Sequence, residues 1–341
     1  VRAFHFIPLL VYFFMQTPRV SIITVNYNQA EVTYALLDSI RLQDYPNVQT
    51  IVVDNASKEN PLPELALRYP EVLALRSEEN LGFAGGNNLA LPHATGQYLF
   101  FVNNDAEITP GCLQTLVDCF EQHPDAGLIS PLLLYHPEKS GREDLIQYAG
   151  MTPVSTITGR NETIGEKQTD AGQYAQPVQT AYAHGAAMMM PAPVLEAVGP
   201  MFDNFFLYYE ELDWGERVRR AGYTIWVEPR ARVYHKESLT VGKMGGLKTY
   251  FLNRNRVLFM RRNHGGPRHL LFLAYWYLVV TPKNVLQYLI RGDTENLRAF
   301  LLSLWWHINP NADNRYEAVR NKAMLATTPI VNPKPASVAH K

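Results

Sequence analysis

YLFFVNNDAEITPG, residues 98–111, is an apolar run that halts on three polar side chains, Asn103, Asn104 and Asp105, before Pro110 opens the next segment. An unbroken apolar run of this length reads as a strand buried on both faces, as in a parallel sheet with helices on either side. In open α/β sheets ligands sit beyond the carboxyl ends of such strands. Asp105 therefore stands where a site is expected, and a single hard carboxylate there can hold a divalent cation that keeps waters and substrate phosphate oxygens as its other ligands. The plainer reading is that Asn104 and Asp105 shape the turn before Pro110.

The same pattern repeats upstream. RVSIITVNYN (19–28) is a β-branched run ending in Asn26, Tyr27 and Asn28, and VQTIVVDNAS (48–57) is a second ending in Asp54, Asn55 and Ser57. A short third run, VLALRS (72–77), leads to Asn80. Between them, AEVTYALLDSIRLQ (30–43) places Val32, Ala35, Leu36, Ser39 and Ile40 on one helical stripe, and PLPELALRYP (61–70) reads as a second helix. After Pro110, Leu113, Leu116, Val117 and Phe120 share a helical face that Pro124 ends. This alternation predicts an α/β domain with a mostly parallel central sheet. Asn and Asp favour turns for local reasons, but their delivery to one rim by four successive strands points to a ligand site.

Residues 136–180 are polar, glycine-rich and without clear period, and read as a long connection or lid rather than a core element. AAMMMP (186–191) restores a strand, EELDWGERVRRAG (210–222) is a helix closed by Gly222, and YTIWVEP (223–229) and ARVYH (231–235) read as two further strands. Arginines at 254, 256, 261 and 262 precede HLLFLAYWYLVV (269–280). That run is too short for a bilayer, which needs about 20 apolar residues. It suits an amphipathic helix on a membrane or a partner, or one that covers an edge of the core.

Composition narrows the classes. Lysine and arginine number 31 against 32 acidic residues in 341, so no basic field recruits nucleic acid, and 47% hydrophobic content suffices for a large core. Cys112 and Cys119 lie seven apart on one predicted helix, roughly 10 Å at about 1.5 Å per residue, beyond disulfide reach. Two thiols fit a reducing compartment, and no Cys/His spacing suggests zinc. The apolar stretch after Arg2 lacks a small-residue cleavage site, so residues 1–14 read as an extension upstream of a start near Met15. The expected division is an extension (1–18), a catalytic domain (19–247), a helical region that can associate with a membrane (248–320) and a tail (321–341).

NLGFAGGNN (80–88) matches neither the G-x-x-x-x-G-K-[ST] nor the G-x-G-x-x-G phosphate loop, which disfavours a P-loop NTPase or a dinucleotide oxidoreductase. Its glycines still let backbone amides approach a ligand at a helix start. Glu210, Glu211 and Asp213 cluster at another helix N-terminus, where the dipole alone favours carboxylates and Asp213 can pair with Arg217. The preceding FFLYY (205–209) can desolvate a carboxylate and raise its pKa toward a general base's range. His235 reads as a core histidine or a metal ligand.

In this order, VSIITVNYN, IVVDNAS, NLGFAGGNN, FVNNDAEI, YYEELDWGERVRRAGY and VYHKES closely resemble the family 2 glycosyltransferases with the GT-A fold, in particular bacterial rhamnosyltransferases of cell-surface polysaccharide synthesis. The match covers roughly residues 19–262. The resemblance implies that Asn26, Tyr27, Asn28, Asp54, Asn55 and Ser57 border the nucleobase and ribose, that Asn80, Gly85, Gly86 and Asn88 line the nucleotide pocket, and that Asn104 shapes the site. Asp105 takes the metal-binding end of the D-x-D element, with Asn103 where the family often has Asp. Glu211 takes the catalytic-base position, Asp213 is the second choice, His235 sits near the metal or diphosphate, and His184 with Gly185 approaches donor sugar or acceptor. It also implies a Mg2+ or Mn2+ cofactor, a nucleotide-sugar donor (dTDP-rhamnose first, UDP-sugars next), a glycan or lipid-linked acceptor, inversion, and a cytoplasmic location at the membrane's inner face. Sugar-phosphate nucleotidyl transfer and a non-catalytic nucleotide-binding scaffold stay open as alternatives.

Overall fold

The structure, a computed structural model, describes residues 17–236 and 245–309. The extension read over residues 1–14, the tail over 321–341 and the last two residues of VYHKES lie outside the described residues. In chain order the elements are β1 (Val20–Asn26), α1 (Ala30–Arg41), β2 (Val48–Asp54), α2 (Leu62–Arg68), β3 (Leu73–Arg76), α3 (Gly82–Ala90), β4 (Tyr98–Val102), β5 (Ala106–Ile108), α4 (Cys112–Gln122) and β6 (Ala126–Tyr135). They continue with α5 (Pro137–Ser140), β7 (Ile146–Tyr148), β8 (Val178–Gln179), β9 (Ala187–Pro191), α6 (Ala192–Val198), α7 (Glu210–Arg220) and β10 (Thr224–His235). Helices α8 (Gly245–Asn263), α9 (Gly266–Tyr275), α10 (Thr281–Arg291) and α11 (Thr294–Ile308) follow, with a π-helical turn, Trp276–Val280, joining α9 to α10.

One curled sheet runs β3-β2-β1-β4-β9-β6-β10-β5, with β7 on β6 and β8 on β10. Its first half is the expected parallel sheet: β1 pairs β2 and β4, and β2 pairs β3, all in parallel. Beyond β4 it becomes mixed, because β9 enters antiparallel between β4 and β6 and β5 lies antiparallel to β10. Alternate residues face opposite sides. Val20, Ile22, Phe100 and Val102 enter one apolar layer, and Ile23, Leu99 and Phe101 enter the other with Trp214 and Val218 of α7. The continuous apolar runs follow from this two-sided burial.

Several expectations need correction. YTIWVEP and ARVYH form one strand, β10, whose register against β6 slips between Glu228 and Arg232; the irregularity around Pro229 makes a single strand look like two. Helix α1 buries Thr33, Leu36, Leu37 and Ile40, while Val32 and Ala35 are half-buried, because α1 also leans on β5, where the Ile108 N–H donates to Ser39 Oγ at 3.0 Å. The 136–180 segment is no mere connection: β7 lies in the core with Ile146 and Tyr148 fully buried. A three-residue strand shows no period in sequence. HLLFLAYWYLVV forms parts of α9 and the π turn within a helical stretch continuing to Arg291, with Phe272, Trp276 and Val280 turned inward. No helix among the described residues is long and apolar enough to cross a membrane.

Candidate active site

The parallel register places the polar strand ends side by side. Asn26 stands opposite Asp54, and Asp54 opposite Arg76. Asn26 Nδ2 donates to Asp54 Oδ1 (2.9 Å) and to Ser57 Oγ (3.2 Å), and its Oδ1 accepts from Thr33 Oγ1 (3.0 Å), which in turn accepts from Asn104 Nδ2 (3.1 Å). Asp54 Oδ2 accepts from the Ser57 N–H and pairs with the Arg76 guanidinium, which also donates to Ser57 O. One hydrogen-bonded chain thus runs from β4 to β3, and Asp54 is fully buried within it. Asn28, in the left-handed region at φ 57°, donates its N–H to Ser57 Oγ and accepts from Lys58 N, and Tyr27 lies half-buried beside it.

The glycine-rich segment is tied to the same rim. Asn55 accepts from the Leu81 N–H and donates to Asn80 Oδ1 (3.0 Å), and Asn80 Oδ1 also accepts from the Gly82 N–H. Gly86 lets α3 close on β1, since a Cβ there would stand 2.8 Å from Val25 Cγ1. A Cβ on Gly85 would meet Leu81 at the same distance, 2.8 Å, so both glycines serve packing. Asn88 donates to Met201 O and to Asp203 and accepts from Met201 N, stapling α3 to the approach to α7.

Asp105 and His235 meet through the β5–β10 register, in which His235 stands opposite Ala106. His235 Nε2 lies 3.1 Å from Asp105 Oδ1 and 3.2 Å from Asn103 Nδ2, and its Nδ1 lies 2.9 Å from Gln147 Oε1. Burial is the largest influence on Asp105 and works against its charge, but the hydrogen bond to His235, the charges of His235 and Lys236 and a backbone N–H together outweigh it and hold the carboxyl below its usual range. Beside them, the His184 ring packs edge-on against Tyr148 (5.2 Å) and His235 (6.3 Å). Burial, then the neighbouring His235, pushes its pKa down to about 3. His184 Nδ1 accepts from the Ala186 N–H at 3.0 Å, so the neutral ring carries its proton on Nε2 as a donor.

A Cβ on Gly185 would stand 3.7 Å from Glu211 Cγ, which places the start of α7 beside the His184–Gly185 segment. Burial pushes the Glu211 carboxyl up to about 7, against backbone N–H groups at the helix start that favour its charged form. Glu210, almost fully buried, is pushed up first by burial and then by the charge of Glu211, and its Oε2 has no hydrogen-bond partner among the described residues. The segment entering α7 holds Phe206, Tyr208 and Tyr209 at positive φ (63°, 70° and 73°), a conformation bulky side chains adopt only under constraint. The constraint comes from α8. Arg254 donates to the carbonyls of Asn204 and Phe205, and Asn255 Nδ2 to those of Phe205, Leu207 and Tyr208 at 2.7–2.8 Å. Asp213 faces away from this chemistry: at 1% exposure it accepts from Arg262 Nε (3.0 Å) and Asn263 Nδ2 (2.9 Å) and pairs with Arg217 (3.3 Å).

Thr33, Arg76, Gln147, Arg254 and Asn255 were not singled out as site residues from sequence. Arg76 ends β3 on the rim and was within reach of the strand-end rule. Gln147 carried no signal.

Comparison with known proteins gives the family and the fold. The sequence model described as Glycosyl transferase family 2 matches residues 21–199. The N-acetylglucosaminyl-diphospho-decaprenol L-rhamnosyltransferase of Mycobacterium tuberculosis is 22% identical over 262 residues, 72% of this chain and 85% of that protein. The low-salt glycan biosynthesis hexosyltransferase Agl10 of Haloferax volcanii is 27% identical over 209 residues, 60% of this chain and 63% of the relative. Among solved structures, the mannosyltransferase PcManGT from Pyrobaculum calidifontis, in complex with GDP-Man and Mn2+, superposes with TM-score 0.52 at 19% identity over 92% of this chain and 82% of that one. S. aureus TarS in complex with UDP-GlcNAc gives TM-score 0.54 at 15% identity over 84% and 81%. The fold is that of the GT-A glycosyltransferases, and the chain belongs to glycosyl transferase family 2.

Proposed function

We propose that this glycosyltransferase transfers a sugar, with inversion and with a divalent cation, from a nucleotide-sugar donor to a hydroxyl of a glycan or lipid-linked acceptor in cell-surface polysaccharide synthesis. The observation that supports the reading is that Glu211, its carboxyl pushed up to about 7, and the Asp105–His235 pair both lie against the His184–Gly185 segment. Glu211 takes the acceptor proton as the acceptor oxygen forms its bond to the anomeric carbon. The bond from that carbon to the diphosphate oxygen breaks on the opposite face, and the electron pair leaves with the nucleoside diphosphate. Asn26, Tyr27, Asn28, Asp54, Asn55, Ser57 and Arg76 form the rim for the nucleoside, with Asn80, Gly85, Gly86, Asn88 and Asn104 beside it. His184 Nε2–H and the backbone at Gly185 face the donor sugar or acceptor.

The cation reading fits the donors present. Asp105 Oδ1 and His235 Nε2 lie 3.1 Å apart, with Asp105 ionised, and they suit Mg2+ or Mn2+ completed by water and diphosphate oxygens. When bound, such a cation would neutralise the charge that develops on the leaving diphosphate. The mycobacterial relative's name, rhamnosyl transfer to a diphospho-decaprenol-linked sugar, supports dTDP-rhamnose as the first donor to test and UDP-sugars as the next. Such an acceptor would place the protein at the cytoplasmic face of the membrane.

A thermal-shift screen of nucleotide sugars with Mn2+ or Mg2+, followed by product analysis, tests the proposal. Release of a nucleoside diphosphate is expected. Release of pyrophosphate would replace this reading with nucleotidyl transfer, and turnover undiminished by EDTA would remove the cation.

A further inference from the structure

Residue Gln147 stands apart from the sequence-derived site, yet it reaches its centre. Leu133 pairs with Tyr148 and Leu134 with Ile146, so Gln147 is the extra residue of a β-bulge between β6 and β7. Bulges re-aim side chains and recur beside active sites. This one turns a 6%-exposed amide onto His235, itself 5% exposed, with Gln147 Oε1 2.9 Å from His235 Nδ1. The neighbouring Tyr148 supports the other histidine, His184, through its ring and fixes its own hydroxyl on Tyr182 O at 2.7 Å.

The two amides around His235 favour one tautomer of the neutral ring, against the pull of Asp105 Oδ1 for a proton on Nε2. A carbonyl oxygen can only accept, so Gln147 Oε1 calls for a proton on Nδ1; an amide nitrogen can only donate, so Asn103 Nδ2, 3.2 Å from Nε2, calls for a lone pair there. That lone pair is directed to the side where Asp105 Oδ1 lies 3.1 Å away. With the ring doubly protonated, Nε2–H donates to Asp105 Oδ1; with the ring neutral, two electron-pair donors face one another, an arrangement that a cation relieves and that the opposite tautomer would abolish. Hydrogen-bond partners on the far ring nitrogen set which nitrogen binds metal and raise its basicity.

We propose that Gln147 is a positioning residue, which holds the neutral His235 ring with its proton on Nδ1 and its Nε2 lone pair turned to the Asp105 carboxylate as half of a divalent-cation site. The inference rests on the cation reading of Asp105 and His235, and two measurements separate the failure of one from that of the other.

The tautomer is read without metal, by 15N NMR of the full chain labelled at histidine nitrogens, at a pH where the His235 ring is neutral and with its signals identified by their loss in His235→Asn. The wild type should show a protonated Nδ1 and a bare Nε2. Gln147→Leu should shift the proton toward Nε2, and Gln147→Glu, which keeps an acceptor, should restore the wild-type pattern. A wild-type proton on Nε2, or an unchanged tautomer in Gln147→Leu, overturns the assignment.

The second measurement is an EPR titration with Mn2+ alone, in which Gln147→Leu should bind roughly 10- to 100-fold more weakly than wild type and Gln147→Glu at least as tightly. Equal Mn2+ affinity in wild type and Gln147→Leu, with His235→Asn weakened, removes the role of Gln147 and leaves the cation site. No Mn2+ binding by wild type removes the cation site and the purpose assigned to Gln147 together. The Gln147→Glu arm guards against reading a misfolded Gln147→Leu as support.

Discussion

At the scale of single residues, the pair Glu210–Glu211 shows how one helix start can make a base. Both carboxyls lose water on burial, and the adjacent like charge adds to the burden on Glu210. Glu211 must be ionised to accept a proton, so kcat is expected to rise with pH through about 7 and level off above it. Glu211→Gln should lower kcat roughly 10²- to 10⁴-fold and leave donor binding little changed, checked by steady-state kinetics across pH 5.5–9. Stability runs the other way: a carboxyl whose pKa is raised on folding binds its proton more tightly in the native state, so stability falls as pH rises from the ordinary carboxyl range to about 7 and is flat above. Glu211→Gln should flatten that slope in denaturant titrations. Asp213 separates from Glu211 here. Its charge is spent on Arg262, Arg217 and Asn263, whose side chains keep partial contact with water, so Asp213→Asn should cost about 1–3 kcal/mol of stability and leave the kcat–pH limb in place. From sequence the two acids looked like alternatives, because the difference lies in Arg262 and Asn263, about fifty residues away on α8.

At the scale of elements, α8 carries more of the site than its sequence announces. Arg254, Asn255 and Arg256 read as part of a basic run, yet all three are buried. A helix whose inward face holds guanidinium and amide groups has no apolar stripe for periodicity to find. Arg256 holds Thr158 O, and Tyr209 Oη donates to Gly159 O at 3.1 Å, so α8 and the strained entry to α7 together also fix the 155–160 turn. Strain of this kind persists only where the surroundings determine it. Asn255→Ala takes that amide away from three carbonyls: Phe205 O keeps the Arg254 guanidinium and the Leu207 N–H, while Leu207 O and Tyr208 O lose the Asn255 donor. It should cost about 1–3 kcal/mol, and kcat should fall about tenfold or more while donor KM holds, read by chemical denaturation and by kinetics on the folded fraction. A loss of stability with kcat unchanged would reduce the clamp to scaffolding. The rim strands were legible for the opposite reason: β1, β2 and β4 are apolar on both faces and stop on Asn or Asp, so run length and endpoint both show in the sequence. What stayed hidden was that Asn26, Thr33, Asn104 and Asp54 spend much of their hydrogen-bonding capacity on one another, a matter of register rather than residue type.

At the scale of the whole molecule, the family match ends at residue 199, while Glu211, His235 and the α8 clamp lie beyond it. The two parts meet because β5 pairs with the end of β10 and because Gly185 lies beside Glu211. The C-terminal helices belong to the same core, since Phe272, Trp276, Phe300 and Trp306 join the apolar layer that includes β1 and β4. Deleting them would unfold the protein rather than release it from a surface. Their outer side nevertheless exposes Leu278 (77%), Leu289 (59%) and Ile290 (76%), with Arg268, Lys283 and Arg291 exposed along the same helical stretch. Exposed apolar side chains among cations suit the interface of an anionic bilayer, which is where a lipid-linked acceptor would be met. Leu278→Glu with Ile290→Glu should shift stability by no more than about 0.5 kcal/mol, as for other exposed sites, and should lower co-sedimentation with vesicles containing anionic lipid. Turnover of a soluble acceptor analogue should survive that double substitution, while turnover of a vesicle-embedded acceptor should fall. Equal loss on both would place the defect in the fold rather than at the membrane.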